Sequence, residues 1–213
     1  AGMAKAVASL KHAGSVHSVQ VDVSQHASVV AATAATLKIG PVDALVNSAG
    51  ITGPVTTVAN YPVDAWQQVM DVNINGVFYC CREWAPHLKE RPAGRIVNIA
   101  SVAGKDGNPN ASAYSASKAA VNSLAQCAAN AFAGSNVRVN AICPGIIDTA
   151  RMDDIDAIER GAAWQAMIRE RIPLGRAGRG EDIAWITVFL CSDQGAWITG
   201  QSWNVDGGTV TAH

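Results

Sequence analysis

Charged side chains are few in this sequence and nearly balanced: 16 Lys and Arg against 17 Asp and Glu, 15% of the residues, with a formal net charge of -1. No run of Lys or Arg gathers anywhere, so the electrostatic footprint of a protein that binds nucleic acid or an anionic membrane is absent. Long apolar runs are absent too. None approaches the ~20 consecutive residues of a membrane span, and the first residues lack the basic start and apolar middle of a signal peptide. The expectation is a cytoplasmic protein with neither nucleic acid nor membrane among its partners. Cysteine is sparse: Cys80, Cys81, Cys127, Cys143 and Cys191 form an odd set without CxxC spacing, and the adjacent pair must point in different directions on any regular element. They read as reduced, small core residues. The five His are scattered, with no HxxxH or His/Cys cluster, so no protein-built metal site is expected.

Apolar residues, by contrast, are plentiful at 49%. With so little charge to coat the exterior, part of the surface is expected to be covered by other subunits. A chain of 213 residues can bury one sizeable core, and residues 1–213 are read as a single domain.

The opening "AGMAKAVASLKHAG" reads as a helix ending at Gly14. "VHSVQVDVS" (16–24) alternates like a strand that ends at Asp22, and "QHASVVAATAATLKIG" (25–40) has helical spacing. "VDALVNSAG" (42–50) is a short apolar run with a polar tip, the pattern of a strand covered on both faces. A long helix is expected from about Val63 to Leu88, then the strand "GRIVNIAS" (94–101), a helix from about Tyr114 to Phe132, and the strand "NVRVNAICPG" (136–145). After an irregular, partly helical stretch come a helix from about Glu181 to Cys191 and a last strand in "GQSWNVDGG". This alternation predicts an α/β fold, a doubly wound parallel sheet of the Rossmann type. Ligands of such sheets bind at the carboxyl ends of the strands. Asp22, "NSAG" (47–50), Ser101 and Pro144–Gly145 converge there.

A dinucleotide-binding half normally opens with a strand, a Gly-rich turn and a helix whose N-terminus receives the pyrophosphate. The only similar string, "GRAGRG" (175–180), follows proline and precedes a helix, so it is assigned to a turn. One strand, one helix and a second strand are therefore expected to have preceded Ala1.

Tyr114 and Lys118 are four residues apart at the start of a predicted helix, which puts them on one face about a turn apart. A nearby cation stabilises a phenolate, so the pair suits proton transfer. An aromatic on a buried face beside a solvent-seeking lysine would have the same spacing. Ser101, at a predicted central strand tip, directs a hydroxyl into the same crevice; it could equally be a strand-end turn residue. Asn73, in "DVNINGVF", falls inside the long helix, where Asn usually faces water. Its candidate task is to hold a water next to Lys118.

The motifs "DVS" (22–24), "NSAG" (47–50), "VNING" (72–76), "RIVNIAS" (95–101), "YSASK" (114–118), "RVNAICPGIIDT" (138–149) and "ITGQSWNVDGG" (198–208) together resemble the short-chain dehydrogenase/reductase family along nearly the whole chain. The resemblance implies Tyr114 as general acid/base, Lys118 bonding the nicotinamide ribose, Ser101 polarising the substrate oxygen and Asn73 supporting a proton-relay water. It implies NAD or NADP as cofactor. Asp22 and Val23 would lie by the adenine, Asn47, Ala49 and Gly50 beneath the adenosine, and Pro144, Gly145, Ile147 and Thr149 around the nicotinamide. Tyr114 and Lys118 would also touch the cofactor. Ser48 replaces the family's usual second Asn. The resemblance implies that the residue choosing between NAD and NADP, at the end of the family's second strand, is expected before Ala1.

Residues 149–173 correspond to the family's substrate lid, with Met152, Ile155, Ile158, Trp164, Met167 and Ile168 as ligand-covering or core residues. The overall look is that of a 3-oxoacyl-(acyl carrier protein) reductase. Sugar, polyol and cyclic-alcohol dehydrogenases of the family share it, so the resemblance implies a small ketone or secondary alcohol as substrate. The family commonly forms homotetramers through the Tyr114–Phe132 helix and the long helix before it, and a homotetramer is expected. Other readings are a non-catalytic structural or regulatory subunit, a hydrolase with Ser101 as nucleophile, and an epimerase or dehydratase. Ser101 lies in "IASVA" rather than a Gly-x-Ser-x-Gly elbow, which counts against the hydrolase.

Overall fold

Four short apolar runs build the centre of the molecule. The structure, a computed structural model, describes residues 14–148 and 162–210. In chain order the main elements are α1 (His26–Leu37), β1 (Ala44–Asn47), α2 (Val63–Met70), a π-helical turn (Asp71–Asn75), α3 (Gly76–Lys89), β2 (Gly94–Ile99), α4 (Ser112–Ala131), β3 (Val137–Pro144), α5 (Ala162–Arg171), α6 (Gly180–Cys191) and β4 (Ser202–Val205). The strands form one parallel sheet in the order β1-β2-β3-β4. Parallel strands need crossovers, and the intervening helices supply them.

Both faces of the sheet are covered, which explains why β2 and β3 are nearly all apolar. Successive side chains point to opposite faces, so Ile96 and Val139 pack under α3 and α4 with Val77, Leu88 and Val121. Their neighbours Val97 and Ile142 pack on the other side with Leu190 of α6. Leu88, Ile96, Val139 and Ile142 are fully buried, each contributing roughly 1.5–3 kcal/mol of apolar transfer free energy. The expected doubly wound α/β architecture is therefore what forms.

Two expectations are corrected. Residues 16–21 form no strand. Their alternation marks which side chains are apolar; a ladder also needs a neighbouring backbone, and among the described residues none pairs with them. The end at Asp22 does hold, because its carboxylate accepts from Ser24 N at 3.0 Å and Ser24 Oγ at 2.7 Å, turning the chain into α1. The expected Val63–Leu88 helix is interrupted by the π-helical turn at Asp71–Asn75, which inserts an extra residue and so redirects Asn73 inward. The opening helix to Gly14 falls on residues 1–13, outside the described residues, as do Thr149 and the lid positions Met152, Ile155 and Ile158.

Candidate active site

The carboxyl ends of β1, β2 and β3 and the start of α4 meet at one place, and the lysine shows how. Lys118 is buried, 4% exposed, a costly position for an ammonium without partners. Its Nζ donates to Ile99 O at the end of β2, at 2.7 Å. It also lies 5.7 Å from the centroid of the Tyr114 ring. From the β1 side comes Gly50: a Cβ there would sit 3.4 Å from Lys118 Nζ and 3.3 Å from Asn73 Oδ1. The glycine leaves the ammonium its space. Tyr114 itself is half-buried, so its face of α4 remains open.

Ser101 follows β2 and is 8% exposed. It starts the 3-10 turn Val102–Gly104, and its Oγ accepts from Ala103 N at 3.1 Å. That bond orients the hydroxyl with a lone pair on the turn and the proton free to be donated elsewhere. Chemically, the group is arranged as a hydrogen-bond donor.

The Asn73 side chain is turned into the protein rather than toward solvent. Fully buried in the π turn, its Oδ1 accepts from Ile51 N at 2.8 Å, and its Nδ2 donates to Ile51 O at 2.8 Å and to Ser117 Oγ at 3.0 Å. Both amide hydrogens are thus used by the protein. The side chain does not face water, and it fastens the loop after β1 to α4. Ser117, which the sequence reading passed over, completes the link by donating to Tyr114 O at 2.8 Å.

Among the expected cofactor residues, Val23, Asn47 and Ala49 line one apolar cleft of about 350 Å³ together with Leu45, Val72 and Gly76. Its mainly apolar walls beside the β1 tip have room for an adenine-sized ring, and the cleft stops short of Gly50 and Lys118, neither of which lines it. Asp22 does not line this cleft. It lies in a separate depression with Asp64 and Asp71, because its carboxylate is held by Ser24. Asn47 also serves the sheet: its Nδ2 donates to Asn98 Oδ1 of the adjacent strand at 2.8 Å. Pro144 ends β3, and Gly145 N donates to Val205 O at 3.1 Å. The segment after it is propped by "GRAGRG": Gly178 N donates to Ile146 O at 2.9 Å and Asp148 N to Gly178 O at 2.8 Å, with Ile147 opposite Gly178. That string is a turn, as expected, and braces the half-buried Ile147.

Cys143, next to Pro144, is pushed above the usual thiol range by burial, partly offset by Lys105, Asn122, the Ser101 backbone and Lys118. Burial, with Cys80 adding to it, pushes Cys81 up to about 12 against hydrogen bonds from Asn98 and Asn47. All five cysteines are free, and these two behave as the small core residues their scatter suggested. Among the described residues no cluster of His, Cys, Asp or Glu could hold a metal ion. Of the lid candidates, Ile168 is buried core, while Trp164 and Met167 are half-buried.

A family model described as enoyl-(acyl carrier protein) reductase matches residues 1–210. The chain is 42% identical over 196 residues to a 2-dehydro-3-deoxy-L-rhamnonate dehydrogenase (NAD(+)) of Sphingomonas sp., covering 92% of this chain and 77% of that protein. It is 40% identical over 173 residues to the 3-oxoacyl-[acyl-carrier-protein] reductase of Thermotoga maritima, covering 81% and 68% of the two. A short-chain type dehydrogenase/reductase from Mycobacterium ulcerans superposes with a TM-score of 0.88 at 31% identity, over 98% of this chain and 75% of the other.

Proposed function

Because the chain belongs to the short-chain dehydrogenase/reductase family, we propose that Tyr114, Lys118 and Ser101 carry its hydride-transfer reaction between NAD or NADP and a secondary alcohol or ketone. The observation that carries this assignment is the buried Lys118 ammonium, fixed at 2.7 Å to Ile99 O and facing Tyr114 at the strand ends. A cation held there has no packing purpose that an apolar side chain would not serve better. It has a chemical one, the stabilisation of a phenolate.

When bound, the nicotinamide supplies the hydride acceptor or donor. Val23, Asn47 and Ala49 would hold the adenosine end, and Gly50, Pro144, Gly145, Ile147 and Lys118 the other. Thr149 belongs to the same proposed set. In the oxidising direction Tyr114 takes the alcohol proton while the Ser101 hydroxyl donates to the substrate oxygen; reduction reverses both. Lys118 holds the proton balance on Tyr114. Asn73 keeps Ile51 and Ser117, and through them the Tyr114 turn, in place.

The substrate is a small ketone or alcohol, with 3-oxoacyl thioesters, sugar acids and cyclic alcohols as the classes to test. We take the working unit to be a cytoplasmic homotetramer. No described helix is long and apolar enough to cross a membrane, and apolar side chains stand out on α3 (Phe78, 45% exposed) and α6 (Trp185, 73%; Val188, 58%). The test is a coupled absorbance screen of the chain with both nicotinamide cofactors against those classes. A chain that binds either cofactor but turns over none of them would overturn the assignment, and light scattering checks the tetramer.

A further inference from the structure

The turn after Ser101 is held from two sides by contacts that the reaction scheme does not use. Its own bonds are local: Gly104 N donates to Ser101 O at 3.0 Å and Lys105 N to Val102 O at 2.8 Å. Such bonds shape the turn but leave its attitude to the rest of the site undetermined. Two long-range contacts fix that attitude. On one side, Gly104 lies flat on α4: a Cβ there would fall 2.5 Å from the Lys118 carbonyl carbon and 2.6 Å from Ala119 N. These are backbone atoms inside a helix and cannot give way. On the other side, Lys105 Nζ reaches 97 positions along the chain to donate to Ser202 O of β4 at 2.8 Å. A charge-assisted bond of this kind is roughly twice as strong as a neutral one.

We infer that Lys105 is a positioning residue for Ser101: its tether to the Ser202 carbonyl presses the serine turn, through Gly104, onto the α4 backbone at Lys118. The distance between the serine hydroxyl and the tyrosine face is then set by a three-point seat of β2, α4 and β4. The inference rests on the role proposed above for Ser101.

The experiment compares Lys105→Met, Ser101→Ala and the double variant in the same turnover assay, with amide hydrogen exchange on the unliganded protein. Lys105→Met keeps the stem of the side chain and removes the donor. A slight displacement of a catalytic group costs roughly ten- to a hundredfold in rate, so kcat should fall by that factor while KM stays within about threefold. Exchange at Ala103, Gly104 and Lys105 should quicken, with the α4 interior unchanged. The double variant should be no slower than Ser101→Ala, because a misplaced hydroxyl that is already absent costs nothing more. Multiplying losses in the double variant, unchanged kcat in Lys105→Met, or unchanged exchange in the turn would each overturn the positioning role. Full turnover in Ser101→Ala would instead overturn the role of Ser101, and the inference with it.

Discussion

Asn73 and Ile51 exchange two hydrogen bonds of 2.8 Å, the side-chain amide of one matching both backbone groups of the other. An asparagine inside a helical stretch thus replaces the strand partner that the loop after β1 lacks. Replacing it with Leu would leave the partly buried Ile51 N–H and C=O without their partner, at about 1–3 kcal/mol for each group left unsatisfied. The expected result is a melting temperature lowered by roughly 5–15 °C, read by circular dichroism. A variant that melts with the parent would show that the exchange contributes nothing.

Tyr114→Phe removes one oxygen from a half-buried ring and nothing from the packing. General acid/base catalysis is worth roughly a hundred- to ten-thousandfold, so turnover should drop by at least a hundredfold with an unchanged circular dichroism spectrum. Retention of a tenth of the parent rate would move the proton transfer to another group.

Asp182 accepts from Arg176 Nη1 and Nη2, at 2.8 and 3.0 Å, and from Arg179 N at 2.7 Å at the start of α6. The Arg176 hydrogen bond, then the Arg179 backbone bond, hold its carboxyl down at about 2, below the ordinary 3.8. A depressed folded-state value means that the stabilisation is complete above about pH 4 and fades as the pH falls toward 2. The melting-temperature gap between the parent and Asp182→Asn should therefore narrow across that window. A gap that is constant from pH 5 to pH 2.5 would contradict the arrangement. Because the pair is exposed, the gap should also shrink with added salt.

The thiols divide by burial. Cys127 is exposed, whereas Cys81 is buried and held up at about 12. At pH 8 an alkylating reagent should label Cys127 within minutes and leave Cys81 intact in the folded protein, as peptide mass spectrometry would report. The raised value also means that the folded state keeps a proton the unfolded chain loses above about 9. Stability from this group is thus complete below pH 9 and lost as the pH rises toward 12. Fast labelling of Cys81 under native conditions would show that its surroundings open.

The sheet was legible because strands covered on both faces must be apolar throughout, and "RIVNIA" and "RVNAIC" leave little alternative. The pair Tyr114 and Lys118 was legible for a similar reason: their contact is local, four residues along one helix. What remained hidden depends on distant backbone. The alternation of residues 16–21 could not reveal that no strand among the described residues pairs with them. "DVNIN" has nothing in its residue types to separate a π turn from ordinary helix, so the inward turn of Asn73 and its bond to Ser117 had no local signal. Lys105 reads as a plain surface lysine until Ser202 is brought beside it.

The π turn has a consequence for how this protein can change over time. The wider turn absorbs its surplus residue, so removing one position from Asp71–Asn75 would let the segment close to ordinary helix with α2 and α3 near their present phase, whereas removing one position at the start of α3, such as Gly76, would swing everything downstream by about 100° about the helix axis. Val77, Cys81 and Trp84 would leave the sheet, and charged neighbours would be driven under it. Point substitutions along this rod are tolerable by degrees, but a single-codon loss in the first turn of α3 should abolish folding outright, in contrast to the same loss in the π turn before it.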